Sequence, residues 1–131
     1  MLKRASFAAA AIAAVSIASG AQAATLDDVK ARGTLHCIVN TGLPGFSYTD
    51  ANGRWSGFDA DMCRSVAAAV LGDSEKVKYI PATGKTRFTL LNSKEGDVIF
   101  RNTTWTFVRD VDVKLTFIGT TYYDGQQLMG K

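Results

Sequence analysis

Histidine is almost absent from this chain: His36 is the single one among 131 residues. Cysteine is nearly as scarce, with only Cys37 and Cys63 and no C-x-x-C spacing, so a four-ligand zinc site has no donor set to draw on. No metal or other cofactor is expected. Long apolar runs are missing after residue 23, where no segment approaches the roughly 20 apolar residues that a transmembrane helix needs. A strong charge of one sign is missing too: 15 basic residues face 12 acidic ones, and Lys3 and Arg4 fall in the first few residues. No basic stripe with interleaved aromatics occurs, which removes the argument for nucleic acid as a partner.

The apolar run that does exist stands at the start. Lys3 and Arg4 are followed by an Ala-rich stretch from Ala5 to Ala18 and then by Ala21-Gln22-Ala23. A positive segment, a short apolar segment and an A-x-A site make up an export leader. Residues 1–23 are therefore expected to be a cleaved signal peptide, leaving a chain from about Ala24 outside the cytoplasm. In such an oxidising compartment Cys37 and Cys63 are candidates for a disulfide. The alternative is two buried thiols acting as small apolar side chains.

Residues 24–131 have the length of one small domain. Thr25 to Gly33 reads as a short helix, with Thr25 able to cap it and Gly33 to stop it. Leu35–Val39 reads as a strand. Asn52-Gly53 between Phe46–Thr49 and Arg54–Ser56 is a hairpin signal. Asp59 reads as an N-cap, and Met62, Cys63, Val66, Ala67, Val70 and Leu71 recur at helical spacing up to Gly72. Val77–Ile80 is a second strand, ended by Pro81, and Thr86–Ser93 a second long helix. Val98–Phe100, Leu115–Ile118 and Gln126–Met129 read as further strands. Strands alternating with helices predict an α/β layer with a mostly parallel sheet. The chain stops just after a strand-like run, so one sheet edge is expected to lack its cover.

The segment with the most chemistry follows Val98–Phe100. Arg101, Asn102, Thr103, Thr104, Trp105 and Thr106 bring hydroxyls, an amide and a guanidinium to the end of a buried strand, and Arg109 and Asp110 follow shortly after. Ligands of open α/β sheets bind at the carboxyl ends of strands, and a guanidinium can grip a carboxylate through two parallel hydrogen bonds. The segment suits a small zwitterion.

These strings resemble a known family. Gly57-Phe58-Asp59-Ala60-Asp61 is similar to the G-F-D-x-D signature of extracellular solute-binding proteins, family 3. Asn40 to Phe46, the Arg101–Thr106 string with Arg109-Asp110, and Tyr122 to Gln126 are similar to its general L-amino-acid receptors. The resemblance implies a class II periplasmic binding protein-like α/β fold, of which this chain would be lobe one, incomplete. Residues 24–125 would be the N-terminal part of that lobe, and residues 126–131 the start of the crossing into a second. It also implies a receptor without catalysis that captures free L-amino acids for an ABC permease in the inner membrane. A lone half-lobe leaves its ligand half solvated, so weak binding or none is expected.

By the same resemblance, Arg109 would bind the ligand carboxylate. Asn102 and Thr104 would meet its ammonium and carboxylate, although such residues also cap short helices. Phe46 would lie against the ligand's aliphatic stem, or else pack in the core. Thr41 and Gly42 would let backbone approach the ligand. Arg101 would pair with an acidic side chain or stay solvated. Trp55 would pack the hairpin, and Tyr122, Tyr123 and Asp124 would lie at a hinge.

Four residues depart from the family pattern: Lys94 and Gln127 stand where it has glycine, Gly96 where it has an apolar residue, and Phe100 where it has a small one. A left-handed Lys94 costs about 1 kcal/mol. Loss of a core side chain at Gly96 would cost about 2–5 kcal/mol. Phe100 would stand at the strand's end, close to the binding loop, and bear on the shape of the pocket. The rival reading is a receptor-like module of a periplasmic enzyme, a dehydratase or lytic transglycosylase, or of a sensor protein. An enzyme needs an acid or base in the cleft, and only Asp110 is near, beside Arg109.

Overall fold

A computed structural model describes residues 24–113, 115–125, 128 and 130. The expected leader lies outside the described residues. So do Gln126, Gln127 and Met129, and with them most of the expected last strand and crossing.

The chain opens with helix α1 (Ala24–Arg32). Gly33, at φ 70°, ends it and donates to the Val29 carbonyl at 2.9 Å. Thr25 lies inside the first turn rather than ahead of it. Strand β1 (Leu35–Asn40) is the spine of the molecule. Strands β2 (Tyr48–Thr49) and β3 (Trp55–Ser56) form the expected hairpin. The Asp50 carboxylate accepts from the Asn52 and Arg54 amides at 2.9 and 2.8 Å, and Gly53 turns the corner at φ 77°. Helix α2 (Phe58–Leu71), strand β4 (Val77–Ala82), helix α3 (Arg87–Asn92), strand β5 (Val98–Ile99) and helix α4 (Phe107–Val111) follow.

β4, β1 and β5 make one all-parallel sheet in that order. Its core follows the two-residue period of a strand. Leu35, Cys37 and Val39 face α1 and α2, where Val29, Cys63 and Ala67 close on them. The sulfurs of Cys37 and Cys63 are bonded, with Cα atoms 6.0 Å apart, and both residues are wholly buried. Ile38 points to the opposite face, also wholly buried. Asp61, Arg64 and Ser65 stay off the apolar face of α2, with Arg64 bonding Asp61 at 2.7 Å.

Several expectations need correction. Pro81 does not end β4, which runs on to Ala82 with Pro81 opposite Val39. β4 is an edge strand, and there a missing N–H breaks no ladder. Leu115–Ile118 forms no strand: its residues alternate between half-buried and exposed, but no ladder partner runs beside them among the described residues. Asp59 does not cap α2. Gly57 holds that position, and Asp59 lies in the first turn, buried. Gly96 leaves no hollow, because a Cβ placed there would come within 2.4 Å of the Ile38 side chain, which already fills the space. The Phe100 side chain is buried in the core with Cys37, Val39 and Cys63. Lys94 does take the left-handed conformation, at φ 60°.

Candidate functional site

β1, β4 and β5 end together at Asn40, Ala82 and Ile99, and the loops that leave these ends build the site. The first loop is anchored by Asn40. Its side-chain oxygen accepts from the Gly42 amide at 3.3 Å and the Thr41 hydroxyl at 3.5 Å, and its amide donates to Asn102 Oδ1 at 3.1 Å. Buried Ser47 holds the Asn40 backbone, its Oγ accepting from the Asn40 amide at 3.1 Å. Thr41, Gly42 and Asn102 thus share one hydrogen-bonded cluster.

The same loop supplies the start of α2. The first amides of a helix have no partners within it, and here carbonyls do what a capping side chain would. Gly45 O accepts from the Phe58 amide at 2.9 Å, and Phe46 O from the Asp59 amide at 2.8 Å. Gly57 is required for this approach: it sits at φ 109°, and a Cβ on it would lie 2.5 Å from Phe46 O. The Phe46 ring meets Phe58 and Tyr122 edge-on, at centroid distances of 6.2 and 5.1 Å.

The second loop runs from Arg101 to Thr106. Arg101 donates to Ala82 O at 2.6 Å and to Asn102 Oδ1 at 3.0 Å, which ties the ends of β4 and β5 together. Arg109, half-buried, donates to Thr104 O at 2.7 Å and lies 5.9 Å from the Phe88 ring. It makes no ion pair with Asp110 among the described residues. The cap of α4 is Thr106, whose hydroxyl accepts from the Arg109 amide at 3.4 Å; neither Asn102 nor Thr104 has that role. Trp105 stacks on Phe117 at 5.3 Å and Trp55 on Tyr79 at 5.5 Å. Tyr122, Tyr123 and Asp124 are exposed.

Sequence reasoning did not single out Asn40, Ser47 or Arg87. Asn40 carried a signal, a polar residue closing an apolar strand. Arg87 carried none, because a cation at the start of an amphipathic helix reads as solvated. Instead it is 7% exposed, with one bond, to Asn102 O at 3.4 Å, and Nε unpartnered among the described residues. Burial, then Arg101 and Arg109, push the Arg87 guanidinium below its ordinary pKa. Burial pushes Asp59 up, with Arg101 opposing.

The sequence profile of the bacterial extracellular solute-binding proteins, family 3, matches residues 35–131. This chain belongs to that family. Among family 3 relatives it is 57% identical over 129 residues to the glutamate/glutamine/aspartate/asparagine-binding protein BztA of Rhodobacter capsulatus. It is 56% identical over 123 residues to the general L-amino acid-binding periplasmic protein AapJ of Rhizobium johnstonii. The alignments cover 98% and 92% of this chain but 38% and 36% of the two relatives, so the chain spans little more than a third of their length. A periplasmic binding protein from Brucella ovis with glutathione bound superposes with a TM-score of 0.76 at 57% identity, covering 77% of this chain and 32% of that one. An arginine-bound domain 1 from TmArgBP superposes at 0.63 and 29% identity, covering 76% of this chain and 72% of that domain. The fold is that of the periplasmic binding proteins: a parallel α/β sheet with flanking helices, present here in part.

Proposed function

We propose that this chain is the first-lobe part of the substrate-binding component of an amino-acid ABC importer. It captures a free L-amino acid without chemical change, for delivery to a permease in the inner membrane. Residues 24–125 supply the lobe and 126–131 begin the crossing, while residues 1–23 act as a cleaved leader that places the protein in the periplasm.

The observation that carries this reading is Arg109. Thr104 O holds its guanidinium on the loop at the carboxyl ends of the strands, with no carboxylate paired to it among the described residues. It is positioned to take an α-carboxylate. Thr104 holds this guanidinium, Thr41 and Gly42 are tied through Asn40 to Asn102 in the same segment, and Phe46 is an apolar side chain of the first loop. Relatives named as binding proteins for amino acids support the ligand class. The arginine-bound domain 1 from TmArgBP supports binding by a single lobe. One lobe does not enclose the ligand, so we expect Kd values of about 1 mM, or roughly −4 kcal/mol.

Amide NMR titration of the chain with L-amino acids tests this. Saturable shifts in residues 101–109 are expected, and Arg109→Gln is expected to weaken binding by about 1.5–3 kcal/mol, as for a lost bond to a charged group. Unchanged affinity in that variant would remove the assignment.

A further inference from the structure

We propose that a cavity of about 450 Å³ along β4 is a second binding site, for a phosphate monoester, and that Lys94 is one of its ligand-binding residues. Arg32, His36, Lys78 and Lys94 line it, together with Glu95. None of them belongs to the loops that leave the carboxyl ends of the strands, so this inference stands apart from the amino-acid reading above.

Four segments bring the basic groups together. The parallel register sets Lys78 of β4 beside His36 of β1, with both side chains on one face of the sheet. α1 ends at Arg32, and the turn after α3 supplies Lys94. The carboxylates nearby are already engaged. Asp97 accepts from Arg32 and, at 2.7 Å, from the His36 amide, and Glu95 Oε1 accepts from the Ser93 hydroxyl at 2.9 Å. Lys78 and Lys94 are in no ion pair among the described residues. The His36 ring donates through Nδ1 to the Glu95 carbonyl at 3.0 Å, since a carbonyl can only accept. That leaves Nε2 for a ligand, and a proton there would add a donor and a positive charge.

Lys94 is the observation that carries the proposal. It is the only non-glycine residue at positive φ among the described residues, at 60°. Glycine adopts this conformation without strain, and strained backbone concentrates at sites that hold ligands. The amides of Lys94 and Glu95 donate to the Leu91 and Leu90 carbonyls at 3.1 and 3.0 Å, so the turn keeps the lysine beside the cavity. The donors fix the ligand class. They come from several directions and two of them are ammonium point charges, which suits the three terminal oxygens of a phosphate better than a planar carboxylate. Ile80 and Pro81 add an apolar wall, and the volume leaves room for a small organic body.

The chain has one histidine, so its ring protons report on the cavity without overlap. Glycerol 3-phosphate is titrated into the full chain at pH 7 and constant ionic strength, with the His36 signals followed by NMR. We expect saturable shifts with a Kd on the order of 1 mM. Lys94→Gly should weaken binding by about fivefold, the scale of an exposed ion pair. The same variant relieves the strained φ, so the loss cannot be one of folding. Lys94→Arg should keep the affinity within about twofold. Vesicles containing phosphatidic acid present the same group on a lipid surface, and binding to them with no response to glycerol 3-phosphate overturns the soluble-ligand assignment. Shifts that sodium chloride reproduces overturn the site, as does an affinity unchanged in Lys94→Gly. Shifts confined to amides 101–109 would put the ligand elsewhere and overturn it too.

Discussion

Lys94 shows how a single position can be strained without the fold yielding. Its φ of 60° puts a side chain into a conformation that costs L-residues roughly 1–2 kcal/mol. The turn there is fixed by Ser93, Lys94, Glu95 and Gly96 amides donating back into α3, so the backbone cannot relax without losing them. Lys94→Gly is expected to raise stability by about 1 kcal/mol, read as a higher urea midpoint at unchanged slope. Asp59 gives a pH dependence. Burial raises its folded pKa above the ordinary 3.8, with Arg101 opposing, so the folded chain holds the proton more tightly than the unfolded chain. The penalty is then full above the folded pKa and disappears as pH falls to 3.8. Asp59→Asn should therefore exceed the wild type in stability near pH 7 and converge on it in acid. Urea curves at several pH values check this, and a difference independent of pH would assign the effect to packing. Lys94 was legible in the sequence, because a helix-ending position needs a left-handed residue. Burial of Asp59 and Arg87 was not, because residue type alone makes both read as solvent-facing.

Among elements, the junction between the Gly45–Phe46 loop and α2 carries the most information per residue. Two backbone carbonyls complete the helix start, and Gly57 lets them approach. Gly57→Ala should cost at least about 2 kcal/mol, since a positive φ is strained for alanine and its Cβ would strike Phe46 O. It should also disturb the Thr41–Phe46 amides in the NMR spectrum, whereas a loss of stability with those amides unmoved would place the damage elsewhere. Helices and strands were read correctly where their period ran long, as in α2 and β1. Short pieces misled. Leu115–Ile118 has a strand's alternation, but a strand exists only beside a partner, and pairing is a property of the fold rather than of the segment. Pro81 misled for a similar reason: its cost depends on whether β4 is central or at an edge.

Over the whole molecule, the sheet order β4-β1-β5 brings three strand ends to one side, and this joins Arg101 and Asn102 to the Asn40–Gly42 loop. The family resemblance pointed to those residues. It did not reveal Asn40 as their connection, because that link spans 62 residues and depends on register. The same sheet is stapled to α2 by Cys37 and Cys63, 26 residues apart. Replacing both with alanine is expected to cost about 3–4 kcal/mol in the chain-entropy model. Thermal melts of oxidised, reduced and doubly substituted protein would check this, and equal melting temperatures would show that packing around the sulfurs suffices.

Both cysteines are sealed from water, at 0% exposure between strand and helix. A small thiol reagent added to native protein has no route to the sulfur–sulfur bond while β1 and α2 remain joined. Cleavage must wait for the two elements to part, so its rate counts how often the centre of the protein opens. The crosslink is then a built-in clock for breathing of the core.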